Sequence, residues 1–351
     1  MRIGIDARKI ADYGIGTYIR GLVGALADIG GGHTYVAFAP AGAPLPRGVE
    51  HVITDAPHYS VRELFTIGRA ADAAQLDLFH APHYVVPFTK TRVVVTIHDL
   101  IHLHHPPRNP LAPLYARTML RRAVRKAARV LTVSETVKRE LIAELGCDAA
   151  KIAVTPNGID SIFFGAAGLA PPWSRDKSGG ASPAAPTFSR YFFYAGNDKP
   201  HKDVGTLVDA FTRAALPDVS LVLAGAPFER FHAVPNVIAA GFVSIEELAA
   251  LYRGALAVVV PSREEGFGLP AAEAMACGAP VITSNASALV EITGDAALHV
   301  DAREWSDALR RIAGDGALRA SLAARGIDRA RKFTWSRCAE STLAAYEASL
   351  R

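Results

Sequence analysis

Cysteine is scarce in this chain. Three residues of 351, Cys147, Cys277 and Cys338, are too few and too scattered for a disulfide framework or a metal cage, and they suit a reducing cytoplasm. Long apolar runs are missing as well. Nothing approaches the roughly 18 consecutive apolar residues of a membrane-spanning helix, so a lipid substrate would have to be met from the membrane surface. Charge of one sign is weak: a formal net charge of +4 gives no reason to expect nucleic acid as a partner. The opening Met1-Arg2-Ile3-Gly4-Ile5-Asp6 reads as a core strand and not as a secretory leader, so a cytoplasmic chain is expected.

What is present is an ordinary globular composition, half hydrophobic and 21% charged, with 29 glycines and 22 prolines. At 351 residues the chain exceeds what one typical core supports, which points to two domains. Short β-branched runs alternate with longer amphipathic stretches, the rhythm of parallel α/β units. The pattern predicts strands over residues 2–5, 34–38, 78–80, 93–97 and 130–133, and a helix over 17–29. The rhythm restarts with strands over 191–195, 220–224, 236–240, 257–260 and 280–283, and a final helix pattern covers 334–350. Between the halves, residues 166–186 are rich in Ala, Gly, Pro and Ser without periodicity, and read as a linker or loop.

The chemistry concentrates in Pro261-Ser-Arg-Glu-Glu265-Gly266-Phe267-Gly268-Leu269-Pro270-Ala-Ala-Glu273, which follows an apolar strand. Pro270 suits a first helical position, where a missing N–H costs nothing. Gly266, Phe267, Gly268 and Leu269 would then present backbone N–H groups at a helix N-terminus, a place that attracts anions. The glycines let a ligand approach the backbone closely. Glu265 lies on the loop and Glu273 in the expected first helical turn. Carboxylates there would repel phosphate, so they are read as acceptors for sugar hydroxyls. The plainer alternative is a helix-capping turn. Upstream, Lys199 and Lys202 are either an exposed charged loop or the cations of an anion clamp. His98 ends the apolar run 93–97, where open parallel sheets bind ligands, and reads as a site residue or as a satisfied core histidine. His102, His104 and His105 follow closely but lack a standard metal-ligand spacing. Gly14 and Gly16 lie between the first strand and the first helix. They lack the third glycine of a dinucleotide fingerprint, Ile19 standing in its place.

These residues carry a family resemblance. Glu265-Gly-Phe-Gly-Leu-Pro, with Glu273-Ala-Met-Ala-Cys-Gly-Ala-Pro-Val-Ile behind it, resembles the signature of the retaining GT4 glycosyltransferases of GT-B fold. The likeness continues in Gly241-Phe242-Val243 with Leu248 and Tyr252, and in Gly196-Asn197-Asp198-Lys199-Pro200-His201-Lys202. In the first half it includes Gly14-Ile15-Gly16, Thr96-Ile97-His98-Asp99-Leu100 and Pro156-Asn157-Gly158-Ile159-Asp160. It spans nearly the whole chain and is weakest over the linker.

The resemblance implies two Rossmann-like domains facing across a cleft. It implies an acceptor-binding domain over residues 1–165, a linker over 166–186, a nucleotide-sugar domain over 187–330, and a C-terminal helix within 331–351 returning to the first domain. Glu273 would hold the nucleotide ribose and Glu265 the transferred hexose, with Gly266, Phe267, Gly268 and Leu269 around sugar and phosphate. Lys202 would neutralise the diphosphate leaving group. The chain departs from the family motif at Asn197, where an arginine is common, and Lys199 would replace that charge. Val243 matches the place where the family backbone reads the nucleobase, and His98 matches a histidine that bonds the donor sugar. Gly14 and Gly16 would floor the site near the donor phosphates.

No Asp-x-Asp occurs in the chain, so the acidic pair that holds a divalent ion in the other large transferase fold is missing, and neither metal nor cofactor is expected. The expected partners are a nucleotide-sugar donor, with GDP-mannose first and UDP-glucose or UDP-N-acetylglucosamine behind, and a glycan or lipid-linked acceptor. Arg117, Arg121, Arg122, Arg125, Lys126 and Arg129 crowd residues 117–129, either as a solvated face or as a docking surface at the inner face of a membrane. Two readings rival this one: a nucleotide-sugar epimerase, which shares the fold, and a non-catalytic nucleotide-sugar-binding module.

Overall fold

The computed structural model describes residues 1–56, 61–106, 112–164 and 190–351, so the expected linker 166–186 lies outside the described residues. The chain forms two compact units: Met1–Gly158 with Phe333–Arg351, and Ile159–Lys332.

The first unit contains β1 (Arg2–Asp6), α1 (Ile15–Ile29), β2 (Thr34–Ala39), β3 (Glu50–Ile53), α2 (Val61–Ala73), β4 (Leu78–Ala81) and β5 (Arg92–Ile97). It continues with α3 (Ile101–His104), α4 (Ala112–Lys126), β6 (Arg129–Thr132), α5 (Glu135–Leu145) and β7 (Ile152–Val154). The second contains β8 (Tyr191–Ala195), α6 (Val204–Ala214), β9 (Ser220–Ala224), β10 (Val237–Gly241), α7 (Ile245–Gly254), β11 (Ala257–Val260) and α8 (Leu269–Ala276). Then follow β12 (Val281–Ser284), α9 (Ser287–Thr293), β13 (Leu298–Val300), α10 (Trp305–Gly314) and α11 (Gly316–Ala330), and α12 (Trp335–Leu350) belongs to the first unit.

Both sheets are parallel, in the order β3-β2-β1-β4-β5-β6-β7 and β10-β9-β8-β11-β12-β13. Parallel strands connected by helices are covered on both faces, which is why their sequences read as continuous apolar runs. In β5, Val93 and Val95 enter one core of the first unit and Val94 the other. That alternation follows from the two-residue repeat of a strand. In each sheet the order reverses beside the first strand of the unit, β1 or β8, which places a crevice at the carboxyl ends of the central strands.

The C-terminal helix returns to the first unit because its apolar stripe belongs there. Cys338, Ala339 and Tyr346 share a core with Tyr18, Ile19, Leu22 and Val23 of α1. Thr334 caps α12, its hydroxyl accepting from the Arg337 amide. Trp335 then lies against Gly21 and Gly158. A Cβ at Gly158 would stand 2.3 Å from the Trp335 nitrogen, so the glycine of Pro156-Asn-Gly-Ile-Asp160 is required by this crossing. The first unit ends at that glycine, whereas the sequence suggested 165. Residues 159–164 go with the second unit, where the Ile162 carbonyl accepts from Arg253 at 2.5 Å and the Phe163 ring lies against Tyr252.

Candidate active site

In the second unit the signature loop is held by its neighbours before any ligand is considered. Ser262 and Arg263 follow β11; the Arg263 amide donates to the His201 carbonyl at 2.7 Å, and its guanidinium grips Asp203 with two bonds of 2.9 Å. The 196–203 loop and the 262–268 loop therefore form one surface at the carboxyl ends of β8 and β11. On it, Lys202 Nζ donates to Glu265 Oε1 at 2.6 Å, with side chains 17% and 9% exposed. Two groups expected to meet phosphate and sugar thus hold each other. A pair this dry is strong only while both members are present.

Gly268 heads α8 with φ +90°, and a Cβ there would meet Leu289 Cδ2 at 2.5 Å, so both its conformation and its space call for glycine. Gly266 and Phe267 are buried beside it, and Leu269 is half-buried. Pro270 occupies the first turn, as its missing N–H favours. Glu273 does not lie in that turn. The helix starts at Leu269, one residue before the proline, so Glu273 is its fifth residue and opens the second turn. There it is buried, and its Oε2 accepts from Tyr252 OH at 3.0 Å. Burial pushes the Glu273 carboxyl up to about 8 against the lowering bond from Tyr252, and nearby Asp160 adds to the rise. Tyr252 is the partner that residue spacing alone did not identify, although it stood within the resemblance.

Asn197 and Lys199 are exposed on the loop after β8, where Asn197 Oδ1 accepts from the Lys199 amide at 3.3 Å. A further cation stands at this loop: Arg230 pairs with Asp198 at 2.5 Å and stacks on Phe231. No sequence signal marked it, because the pairing spans 32 residues. A cavity of about 400 Å³ beside it is lined by Asp198, Lys199, Asp203 and Arg230 and by none of Lys202, Glu265 and Glu273. Val243 is half-buried just beyond β10, behind the exposed Phe242.

In the first unit, Gly14 caps α1 with φ +68°, and α1 begins at Ile15. A Cβ at Gly16 would meet the Ile10 and Lys9 carbonyl oxygens at 2.7 and 2.9 Å, so Gly16 permits the helix to start against that loop. His98 follows β5, half-buried. Its Nε2 lies 3.0 Å from the Pro82 carbonyl, and the Tyr18 ring meets it edge-on at 4.7 Å. Burial pushes the His98 imidazole down, outweighing the opposing effects of Asp99 and of the Pro82 bond. The ring is therefore neutral and donates through Nε2. The other histidines are engaged separately, His102 with Tyr84 at 3.0 Å and His104 with Glu144 at 2.9 Å, and they form no common metal cage.

Asp6, Glu63 and His83 do bring ligand-type atoms within 4.8 Å of one another, all buried. Arg8 lies among them, its Nη2 donating to Asp6 and to Glu63 at 2.6 Å each, so the guanidinium is the cation that this cluster holds. Among the described residues, no helix is long and apolar enough to cross a membrane.

Two family models match the chain in succession. Residues 13–162 match Glycosyltransferase Family 4, and residues 181–329 match Glycosyl transferases group 1. The chain belongs to these glycosyltransferases. Within this family it is 29% identical over 292 residues to O-antigen chain mannosyltransferase B of Escherichia coli, covering 77% of this chain and 74% of that protein. It is 28% identical over 243 residues to O-antigen chain mannosyltransferase RfbU of Salmonella typhimurium, covering 66% of this chain and 63% of the relative, so less than two thirds of that protein is spanned. The fold matches sucrose-phosphate synthase from Thermosynechococcus elongatus with a TM-score of 0.77 at 22% identity, covering 99% and 98% of the two chains. The expected pair of Rossmann-like units and the returning helix of the GT-B transferases are therefore present.

Proposed function

We propose that this glycosyltransferase moves a mannosyl group from GDP-mannose to a glycan or lipid-linked glycan, with retention and without a metal. The observation that carries the reading is the Lys202–Glu265 pair beside the start of α8, with Glu273 buried one turn further on. Lys202 stabilises the charge that develops on the leaving diphosphate, the work a divalent ion would otherwise do. Glu265 accepts from hydroxyls of the transferred sugar, Glu273 from the ribose, and Val243 lends its backbone to the base. Neutral His98 serves the sugar hydroxyls. The mannosyl assignment draws support from the two relatives named as mannosyltransferases.

In the proposed step the bond between the anomeric carbon and the diphosphate oxygen breaks, and the acceptor oxygen bonds to that carbon from the same face. The acceptor proton passes to the departing diphosphate. Lys202 and the backbone at Gly266, Phe267, Gly268 and Leu269 hold that diphosphate in place.

The acceptor is assigned to the first unit, at the membrane surface. Arg117, Arg121 and Arg125 are exposed along α4 with Leu114, and Arg122 stacks on half-exposed Phe88, which in turn meets Phe65. A cationic face with exposed aromatic rings suits an anionic lipid surface. Co-sedimentation with phosphatidylglycerol vesicles, lost in Arg117→Glu/Arg121→Glu, tests this.

The deciding experiment for the donor is a thermal-shift panel of GDP, UDP, ADP and dTDP with their sugar conjugates, with and without EDTA. A ligand at about a hundred times its Kd adds roughly 2.7 kcal/mol of stability. Selective stabilisation by GDP-mannose, unaffected by EDTA, is expected. Selective stabilisation by UDP-glucose or UDP-N-acetylglucosamine overturns the donor, and a shift that EDTA abolishes overturns metal independence.

A further inference from the structure

The row of residues across the carboxyl ends of β1, β4 and β5 contains a buried network that donor chemistry does not use. Asp6, at the end of β1, takes two bonds from the Arg8 guanidinium, Nε to Oδ1 at 2.8 Å and Nη2 to Oδ2 at 2.6 Å, and a third from the Arg8 amide at 3.2 Å. Arg8 also reaches Glu63 of α2 at 2.6 Å and the Ala56 carbonyl at 3.1 Å. On the other side of Asp6 lies His83, two residues past β4. Its Nδ1 accepts from the Val85 amide at 3.1 Å, so a neutral ring carries its proton on Nε2, which faces Asp6 Oδ2 at 3.6 Å, just beyond hydrogen-bond reach.

Such a cluster needs a reason. A buried ion pair seldom stabilises a fold more than well-packed apolar residues would, because each ion loses its hydration. The usual gain is geometric. His83 is one residue beyond Pro82, and the Pro82 carbonyl is the group that accepts from His98 Nε2 at 3.0 Å. Fixing His83 therefore fixes that carbonyl, and the carbonyl decides which ring nitrogen of His98 carries the proton. Nδ1 of His98 is left as the acceptor. Tyr18 holds the ring plane from the other side, its own hydroxyl anchored 2.9 Å from Thr96 Oγ1 on β5.

We propose that His83, anchored by the Val85 amide beside the buried Asp6–Arg8 pair, is a positioning residue that locks His98 in its Nε2–H tautomer. The inference rests on the assignment of His98 to the donor sugar. Outer partners that orient metal-ligating histidines change affinity or activity by about 10- to 100-fold when removed, and orientation of His98 is the same kind of effect.

Asparagine at position 83 can restore the arrangement, since its carbonyl oxygen accepts from the amide two residues on and its NH₂ can face Asp6. Long-range ¹H–¹⁵N spectra of the full chain, with His98 assigned through His98→Gln, read the tautomer directly. The wild type is expected to show a single Nε2–H form, His83→Ala a mixture, and His83→Asn the wild-type form. Hydrolysis of GDP-mannose without acceptor should fall on the order of ten-fold in kcat in His83→Ala, with KM unchanged, and recover in His83→Asn. If His83→Ala fails to fold, His83→Gln replaces it, its longer side chain misplacing the same amide. A wild-type His98 tautomer in the folded alanine or glutamine variant overturns the positioning role whatever the turnover. Full turnover in His98→Gln overturns the assignment of His98 itself.

Discussion

Lys202 and Glu265, on separate loops 63 residues apart in sequence, are joined by a 2.6 Å ion pair that is largely shielded from water. The pair stores a cation where a diphosphate is expected and a carboxylate where sugar hydroxyls are expected. It also ties the two loops together, so stability and turnover are coupled there. Lys202→Ala should lower turnover about 100-fold or more and cost about 3 kcal/mol, because Glu265 is left buried and uncompensated. The double variant Lys202→Met/Glu265→Leu should recover most of that stability and none of the turnover. Urea titration and donor hydrolysis measure the two quantities; equal recovery of both would remove Lys202 from the chemistry.

Glu273 gives a pH signature. Its carboxyl is about 8 in the folded protein against 4.5 unperturbed, raised chiefly by burial. A raised folded value means that stability is fully present below about pH 4.5 and declines as the pH climbs toward 8. Glu273→Gln mimics the protonated form and should flatten that decline. Ribose hydroxyls favour the ionised acceptor, so nucleotide binding near pH 7 should release up to one proton. Calorimetry of GDP binding in buffers of different ionisation enthalpy measures it; a proton count of zero with an unflattened slope in the variant assigns the titration to another group.

The central strands were legible because parallel strands covered on both faces are continuous apolar runs, and β8, β9 and β11 coincide with their expected bounds. Among the described residues, the strands that the pattern missed, β3, β7 and β13, all lie at sheet edges. An edge strand needs less apolar sequence, and β3, for example, is mostly exposed. In the site, Glu265, Lys202 and the glycines were visible as a local motif. Tyr252 as the partner of Glu273, and Glu63 as the partner of Arg8, were not, because those bonds span 21 and 55 residues and leave no periodic trace. Glu273 fell one turn too early for a small reason: α8 begins one residue before its proline.

His80 predicts the opposite pH slope in the first unit. It is fully buried between Tyr346 OH at 2.7 Å and Thr96 Oγ1 at 2.7 Å, and burial brings its imidazole down to about 3. The unfolded chain binds a proton that the folded one refuses. Stability is therefore intact above about pH 6.5 and is lost as the pH falls toward 3. His80→Asn, which keeps a donor and an acceptor, should be less stable at pH 8 yet lose less between pH 7 and 4. An acid slope equal to that of the wild type would show that His80 is not the group responsible.

Two glycines of α1, Gly16 near its start and Gly24 in its interior, separate a packing requirement from a propensity cost. At Gly16 an added Cβ meets backbone carbonyls at 2.7 and 2.9 Å, and carbonyls held in a loop cannot rotate away as a side chain would. At Gly24, also in α1, a Cβ meets nothing within 4 Å. Gly24→Ala should therefore stabilise by about 0.5–1 kcal/mol, the ordinary gain of alanine over glycine in a helix. Gly16→Ala carries the same propensity gain but must displace the 9–10 loop, and should destabilise by about 1–3 kcal/mol net. Because Arg8 and its network enter that loop directly, Gly16→Ala should also disturb the His98 tautomer, whereas Gly24→Ala should not. Thermal melts with the histidine spectra decide it, and a Gly16→Ala chain as stable as Gly24→Ala would mean that the loop yields to the methyl group.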